Sequence, residues 1–254
     1  MSRIVSWFSC GAASAVATKL AIAAGRGPVT ILNCELKEEH PDNERFLRDC
    51  EEWFGQEIIQ VGNDEFGRST DEVFHKTRYL VGPNGARCTT ELKKAVRWEH
   101  GRADDIIVMG YTKDEQHRVD NLLNTEPLLQ MWPVLIEQKL TKEDCLSIIE
   151  RAGLQLPEMY RLGYKNNNCI GCVKGGAGYW NKIRRDFPER FAEMSRIERQ
   201  LGRTICKVQK DGVRRRVFLD ELPEDAGNYK TENEVQCGIF CQIAEDRADG
   251  GVFE

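Results

Sequence analysis

Short apolar runs alternate with helix-length amphipathic stretches through the first half of the chain. Residues 4–8, 29–34, 57–61 and 105–110 are brief and apolar and read as strands. Residues 15–24, with Val16, Leu20 and Ala23 at helical spacing, read as a helix, as do 44–54, with Phe46, Cys50, Trp53 and Phe54, and 89–100. Between the first strand and the first helix lies a loop of small residues, 9–14. Apolar strands alternating with helices predict an α/β, Rossmann-like fold. Its mostly parallel sheet is covered by helices on both faces, and ligands bind beyond the carboxyl ends of the strands.

Past residue 135 the pattern turns helical. Thr141, with Asp144 three residues on, is set to cap a helix that Gly153 stops. Residues 178–186 and 188–201 read as two helices, Pro188 suiting the first turn of the second. Phe191, Met194, Ile197 and Leu201 give that second helix an apolar face for the core or for another subunit. Residues 205–218 predict a hairpin turning at Asp211-Gly212. Residues 221–235, polar with few apolar anchors, predict a mobile segment. Two domains are expected, 1–175 and a helical and hairpin extension over 176–254 that ends in a cysteine-containing tail.

No apolar run approaches the roughly 20 residues of a membrane span, and the N-terminus lacks the apolar core of a signal peptide. A cytoplasmic location away from membranes is therefore expected. The net charge of −5 is unevenly spread: between Tyr160 and Asp220, 15 Lys/Arg stand against 6 Asp/Glu, or +9, leaving −14 elsewhere. Such a segment is a solvated face or a track for a polyanion such as nucleic acid. Ten cysteines in a reducing compartment need a reason other than disulfides. Cys34, Cys50, Cys145 and Cys206 lie in apolar or helical surroundings and read as core residues. Cys88, Cys169, Cys172, Cys237 and Cys241 lie in loop-like contexts and are candidates for metal or redox chemistry.

The loop Ser9-Cys10-Gly11-Ala12-Ala13-Ser14 lets backbone amides approach an anion at a helix N-terminus, with the Ser9 and Ser14 hydroxyls as further donors. A tight strand-to-helix turn is the plainer alternative. The loop resembles the PP-loop of the adenine-nucleotide alpha-hydrolase superfamily, Ser-Gly-Gly-x-Asp-Ser. Ser9, Gly11 and Ser14 match, while Cys10 and Ala13 stand where the family has glycine and aspartate. Further segments are similar to the phosphoadenosine-phosphosulfate (PAPS) and adenosine-phosphosulfate (APS) reductases of that superfamily. His40-Pro41-Asp42-Asn43 resembles their Pro-Glu-Thr segment, and Arg87–Lys93 their Cys-Cys-x-x-Arg-Lys, with Cys88 and Lys93 kept. Gly110–Arg118 resembles Gly-x-Arg-x-x-Glu-Ser-x-x-Arg, with Glu115 and Arg118 kept and Thr112 at the first arginine. The run 132–164, Cys169-Ile170-Gly171-Cys172 and Gln236-Cys237-Gly238-Ile239-Phe240 follow in family order.

The resemblance implies an adenine nucleotide (APS or PAPS, or ATP with magnesium) held by Ser9, Cys10, Gly11, Ala12, Ala13, Ser14, Lys93, Gly110 and Arg118. It implies Cys237 as the catalytic nucleophile. It also implies a 4Fe-4S cluster on Cys88, Cys169 and Cys172, with Cys241 or Cys237 as the fourth ligand or an open iron. Zinc on Cys169, Cys172, Cys237 and Cys241, and purely structural cysteines, are the rivals. Three functions follow. A sulfonucleotide reductase would take electrons from a thioredoxin-like donor. An ATP-dependent thiolase would place sulfur from a donor on a tRNA or DNA base. A degenerate nucleotide-binding module would do neither. An oligomer is compatible with all three.

Overall fold

A computed structural model describes residues 2–82, 85–210, 213–235 and 237. In chain order the first elements are β1 (Ile4–Trp7), α1 (Ala12–Ala23), β2 (Val29–Cys34), α2 (Asn43–Phe54), β3 (Ile59–Val61) and α3 (Thr70–Thr77). A small hairpin of β4 (Val81–Gly82) and β5 (Gly85–Ala86) leads into α4 (Arg87–Thr89), a π-helical turn over Thr90–Lys94, and α5 (Ala95–His100). Then come β6 (Ile106–Val108), α6 (Gln116–Thr125), β7 (Gln130–Trp132), α7 (Val134–Glu137), α8 (Lys142–Arg151) and α9 (Glu158–Arg161). The last elements are α10 (Ala177–Asp186), α11 (Pro188–Leu201), β8 (Cys206–Lys210) and β9 (Val213–Val217).

Five strands form an all-parallel sheet in the order β3-β2-β1-β6-β7. The chain winds outward from β1 to β3 and then returns to β6 on β1's other side. The switch point thus lies between β1 and β6, where open α/β sheets bind ligands. The expected fold class is what the chain adopts. Helix α1 differs from its expected amphipathic form. Ala15, Val16, Ala17, Thr18 and Ala21 are all buried while Ala23 is exposed, so apolar residues almost all round it mark a helix buried on several sides. It also starts earlier than expected: extended Gly11 is its N-cap, and Ala12, Ala13 and Ser14 form its first turn. Phe8 stacks on Phe46 at 6.3 Å and meets Phe54 edge-on at 5.9 Å, tying β1's end to α2.

The expected elements do not include α3, the β4–β5 hairpin, α6, β7, α7 or α9. Strand β7 is three residues long with an exposed end, too short to show a period. By their internal contacts the residues form two compact units that interleave along the chain. The first is Met1–Glu35, His40–Gly62 and Val96–Asn167, and the second is Leu36–Glu39, Asn63–Ala95 and the described part of Asn168–Glu254. A single cut at residue 175 does not separate them.

In the first unit the expected α8 cap is present: Thr141 Oγ1 accepts from Asp144 N, and the Asp144 carboxylate accepts from Thr141 N. In the second unit, Phe191, Met194, Ile197 and Leu201 of α11 are buried within the chain. The segment 221–235, expected to be mobile, is pinned instead. Asn181 Nδ2 donates to the carbonyls of Pro223 and Ala226, each at 2.8 Å, and the Glu232 carboxylate accepts from Gly178 N at 2.6 Å and Tyr179 N at 2.9 Å. Its anchors are polar groups meeting backbone, which an apolar count does not register. The expected core cysteines Cys34, Cys50, Cys145 and Cys206 are buried. No helix among the described residues is long and apolar enough to cross a membrane.

Candidate functional site

The loop after β1 is built from within. Cys10 takes φ +54°, a left-handed conformation that costs a side chain about 1–2 kcal/mol and costs glycine nothing. The loop is braced by amides: Asn33 Nδ2 donates to Phe8 O at 2.9 Å, and Asn167 Nδ2 donates to Cys10 O at 2.7 Å and to Asn43 Oδ1 at 2.8 Å. Asn43 of the His40–Asn43 segment thereby ties α2 to the loop. Ser14 Oγ accepts from Ser9 N at 3.1 Å and donates to Gly11 O at 2.9 Å, while Ser9 Oγ donates to Ser14 Oγ at 3.1 Å. Both hydroxyl protons, expected to face an anion, close the loop on itself.

Tyr160 comes up to the mouth of this loop. Ala12 N–H donates to its hydroxyl at a long 3.4 Å, and the hydroxyl stands 3.4 Å from where a Cβ on Gly11 would lie. Asp42 holds the approach to Tyr160, accepting from Glu158 N at 2.9 Å and from Arg45 Nε at 2.7 Å, while Arg45 reaches the carbonyls of Gln155 and Leu156. Burial works to raise the Asp42 pKa, but the Arg45 hydrogen bond is the larger effect and keeps it below its ordinary value.

On the other side of the switch point, Gly110 follows β6. A Cβ there would sit 2.5 Å from Ser14 N and 2.8 Å from Ala13 C, so Gly110 serves close packing of backbone on α1. Arg118 is engaged by Glu115 and lies over the Tyr111 ring at 4.8 Å, rather than standing bare for a phosphate.

The second unit gathers the other candidates. Cys172 and Cys237 act electrostatically on Cys88 and Cys169, Cys237 acts on Cys172, and Lys93 acts on all four. Lys93, expected with the phosphate loop, therefore belongs with the thiols. It sits on the π-helical turn, where Ala95 N bonds Thr90 O and the extra residue re-aims the side chains. The Cys-x-x-Cys loop is fixed by Tyr179, whose hydroxyl accepts from Gly171 N at 3.1 Å and Cys172 N at 2.9 Å and donates to Cys169 O at 3.3 Å. Gly171, at φ +75°, makes the turn. Arg190 donates to Ile170 O at 3.1 Å while gripping Asp71 at 2.5 and 2.7 Å, and Ile170 N donates to Glu38 O at 2.8 Å. Tyr179, Arg190, Asp71, Glu38 and Asn167 were not singled out in the sequence. Their partners lie 7 to 157 residues away, and no local pattern marks them.

Burial pushes the Cys88 thiol up, with the neighbouring sulfurs of Cys237 and Cys172 adding to it. It pushes Cys172 up to about 12 and Cys169 well above the thiol range. Cys237 goes the other way. Burial again acts to raise it, but the ammonium groups of Lys93 and Lys174 and the Thr89 hydroxyl, 3.7 Å from Sγ, outweigh that and lower it.

Among the described residues no cysteine is in a disulfide. Their soft donor chemistry, with a glycine turn between two of them, fits iron–sulfur or zinc. Yet among the described residues no group of three or more His, Cys, Asp or Glu is arranged to hold a metal ion. Cys241 lies outside the described residues, as do Gln236 and 238–240. Compared with known protein families, curated proteins and solved structures, the chain matches none.

Proposed function

We propose that the chain is an adenine-nucleotide enzyme of sulfur chemistry, acting as a sulfonucleotide reductase on APS or PAPS in the cytoplasm. The observation that carries this is the placement of Cys237 beside Thr89 and under the charge of Lys93 and Lys174. A thiol so placed is a nucleophile, whereas a structural thiol is buried and neutral. The loop capped by Gly11, at the switch point of the sheet, supports nucleotide binding.

In the reaction, the Cys237 thiolate attacks the sulfur of the sulfonucleotide. A sulfur–sulfur bond forms, the bond from sulfur to the bridging oxygen breaks, and AMP or its 3′-phosphate leaves with the electron pair. A dithiol donor of thioredoxin type then attacks Sγ of the S-sulfocysteine. Sulfite departs, and the donor's second thiol releases Cys237 as the donor becomes a disulfide. Lys93 and Lys174 keep the attacking sulfur anionic. A 4Fe-4S cluster, were one bound, would be held by Cys88, Cys169 and Cys172, with Cys241 or Cys237 as fourth ligand or with an open iron, and would supply iron–sulfur redox chemistry.

The test is sulfite release from APS and PAPS with a dithiol reductant. Wild type should release it, Cys237→Ser should fall by at least about 1000-fold, and Lys93→Ala by about 10–100-fold. A Cys237→Ser variant as active as wild type would sink the reading. Iron and sulfide analysis of anaerobically purified protein, expected at about four each per chain, tests the cluster separately.

Retention of Ser14, which the ATP-cleaving branch also keeps, favours a second reading: ATP-dependent thiolation of a nucleic-acid base, with magnesium and a sulfur donor. Pyrophosphate release from ATP only in the presence of DNA or RNA would favour it over the first.

A further inference from the structure

The β8–β9 ribbon carries an arrangement that works against its own stability. Its register pairs Lys207 with Arg216 and Gln209 with Arg214, while Cys206 pairs with Val217 and Val208 with Arg215. Residues opposite one another share a face, so Lys207, Gln209, Arg214 and Arg216 form one surface of the ribbon. Cys206 is buried, which turns the other surface inward at the root. The Lys207–Arg216 pair sets two cations directly across from each other, a destabilising arrangement. Lys207, Arg214, Arg215 and Arg216 are exposed, and among the described residues none has a carboxylate partner.

Nearby cations are treated differently. Arg199 is neutralised by Asp220 and Glu221, and Arg184 donates to the carbonyls of Leu219 and Leu222. The root of the ribbon is equally well tied: the buried Glu198 carboxylate accepts from Ile205 N on one side and from Leu219 N, at 2.6 Å, on the other. The protein thus ties Arg184 and Arg199 closely, while on the outer ribbon face Arg216 makes only a long 3.4 Å bond to the Thr204 carbonyl, and no cation of that face has a carboxylate partner among the described residues.

We infer that the β8–β9 ribbon lies in the major groove of a B-form DNA duplex, with the cations of its outer face on the flanking phosphates. Neighbouring cations on one strand of that face are about 7 Å apart, a row suited to successive charges of a polyanion. A two-stranded ribbon fits a major groove of about 12 Å, whereas the A-form groove of RNA is too narrow for one. A protein partner is disfavoured, since its interface would want aromatic or aliphatic anchors at the centre. The ribbon's outer face has none, and Val213, at 52% exposure, lies on the other face. The inference rests on the ribbon alone and holds whether or not the sulfonucleotide reaction does.

The test is fluorescence anisotropy of the full chain with a labelled 20-base-pair duplex, a hairpin RNA and phosphatidylserine vesicles, over a salt series. The variant is Lys207→Gln/Arg214→Gln/Arg216→Gln. Wild type should bind the duplex in preference to the RNA. The variant should lose at least about 10-fold at 0.1 M salt, with the slope of log K against log salt falling by about 2.7 for three lost phosphate contacts. Its melting temperature should equal or exceed that of wild type, because a like-charged pair has been removed. Equal duplex binding by the two proteins, no duplex binding by wild type, or preference for RNA or vesicles would overturn the inference.

Discussion

At the scale of single residues, two positions of the first unit show backbone geometry acting on the side chain, one obeyed and one resisted. Gly110 is one: a Cβ would lie 2.5 Å from Ser14 N, a backbone atom that cannot swing aside. Gly110→Ala should therefore cost about 1–3 kcal/mol, read as a lowered melting temperature, through displacement of α1's first turn. Cys10 is the other. Its φ of +54° makes Cys10→Gly nearly neutral, because relief of strain offsets the lost burial of a small thiol, while Cys10→Val should destabilise strongly. Chemical denaturation of the three variants checks both, and a stable Gly110→Ala protein would mean that β6 and α1 can separate without loss. The small-residue pattern pointed to Cys10 as part of a phosphate loop, the family resemblance to Gly110 as a nucleotide contact, and their apolar surroundings to the buried lone cysteines. They did not point to Tyr160, Asn167 or Tyr179, since those side chains meet backbone groups far away in the chain, and a lone polar residue has no period to read.

At the scale of elements, strands and helices with clear periods or caps were legible: β2, the α8 cap and Pro188 at the first turn of α11 lie where expected. Elements held by partners were not. The 221–235 segment read as mobile because its anchors are amides and a carboxylate rather than apolar side chains. Glu198 is the clearest such anchor, joining α11 to both strands of the β8–β9 ribbon at its root. Burial pushes its carboxyl up to about 7; the nearby Asp220 adds to this, while hydrogen bonds from Leu219 N and Ile205 N and the charge of Arg199 oppose it. A folded-state pKa above the unfolded value of about 4.5 means the group's contribution is complete below about pH 4.5 and lost as pH rises through 7. Wild type should therefore lose melting temperature relative to Glu198→Gln between pH 5 and pH 8, although the glutamine variant starts lower because its amide can accept only one of the two N–H groups. Parallel pH profiles would show Glu198 ionising freely in the folded protein and refute this.

At the scale of the whole molecule, the motifs run in order along the chain, which invites a boundary after the Cys-x-x-Cys loop. The contacts do not respect it. Helix α11 is tied through Arg190 to Asp71 on α3 and to Ile170 O, and Tyr179 of α10 organises the loop 169–172. The core around Leu36, Phe66, Val73 and Leu92, with Cys88 and Cys169 packed against it, also draws on segments from before residue 95. Sequence order is blind to this because a unit assembled from three separate stretches has no compositional edge to mark it. A fragment of residues 176–254 would therefore leave the Arg190 guanidinium without its bidentate carboxylate and Tyr179 without the amides its hydroxyl receives. Removing one partner of a largely buried charge pair costs about 3–5 kcal/mol, enough to take most of the stability of a small domain. The fragment should show no cooperative thermal transition by circular dichroism, and its Cys206 should react with a thiol reagent as fast as a free thiol, whereas in the full chain burial shields it. A sharp melt and a protected Cys206 in the isolated fragment would restore the boundary at 175 and make the long-range ties incidental to folding.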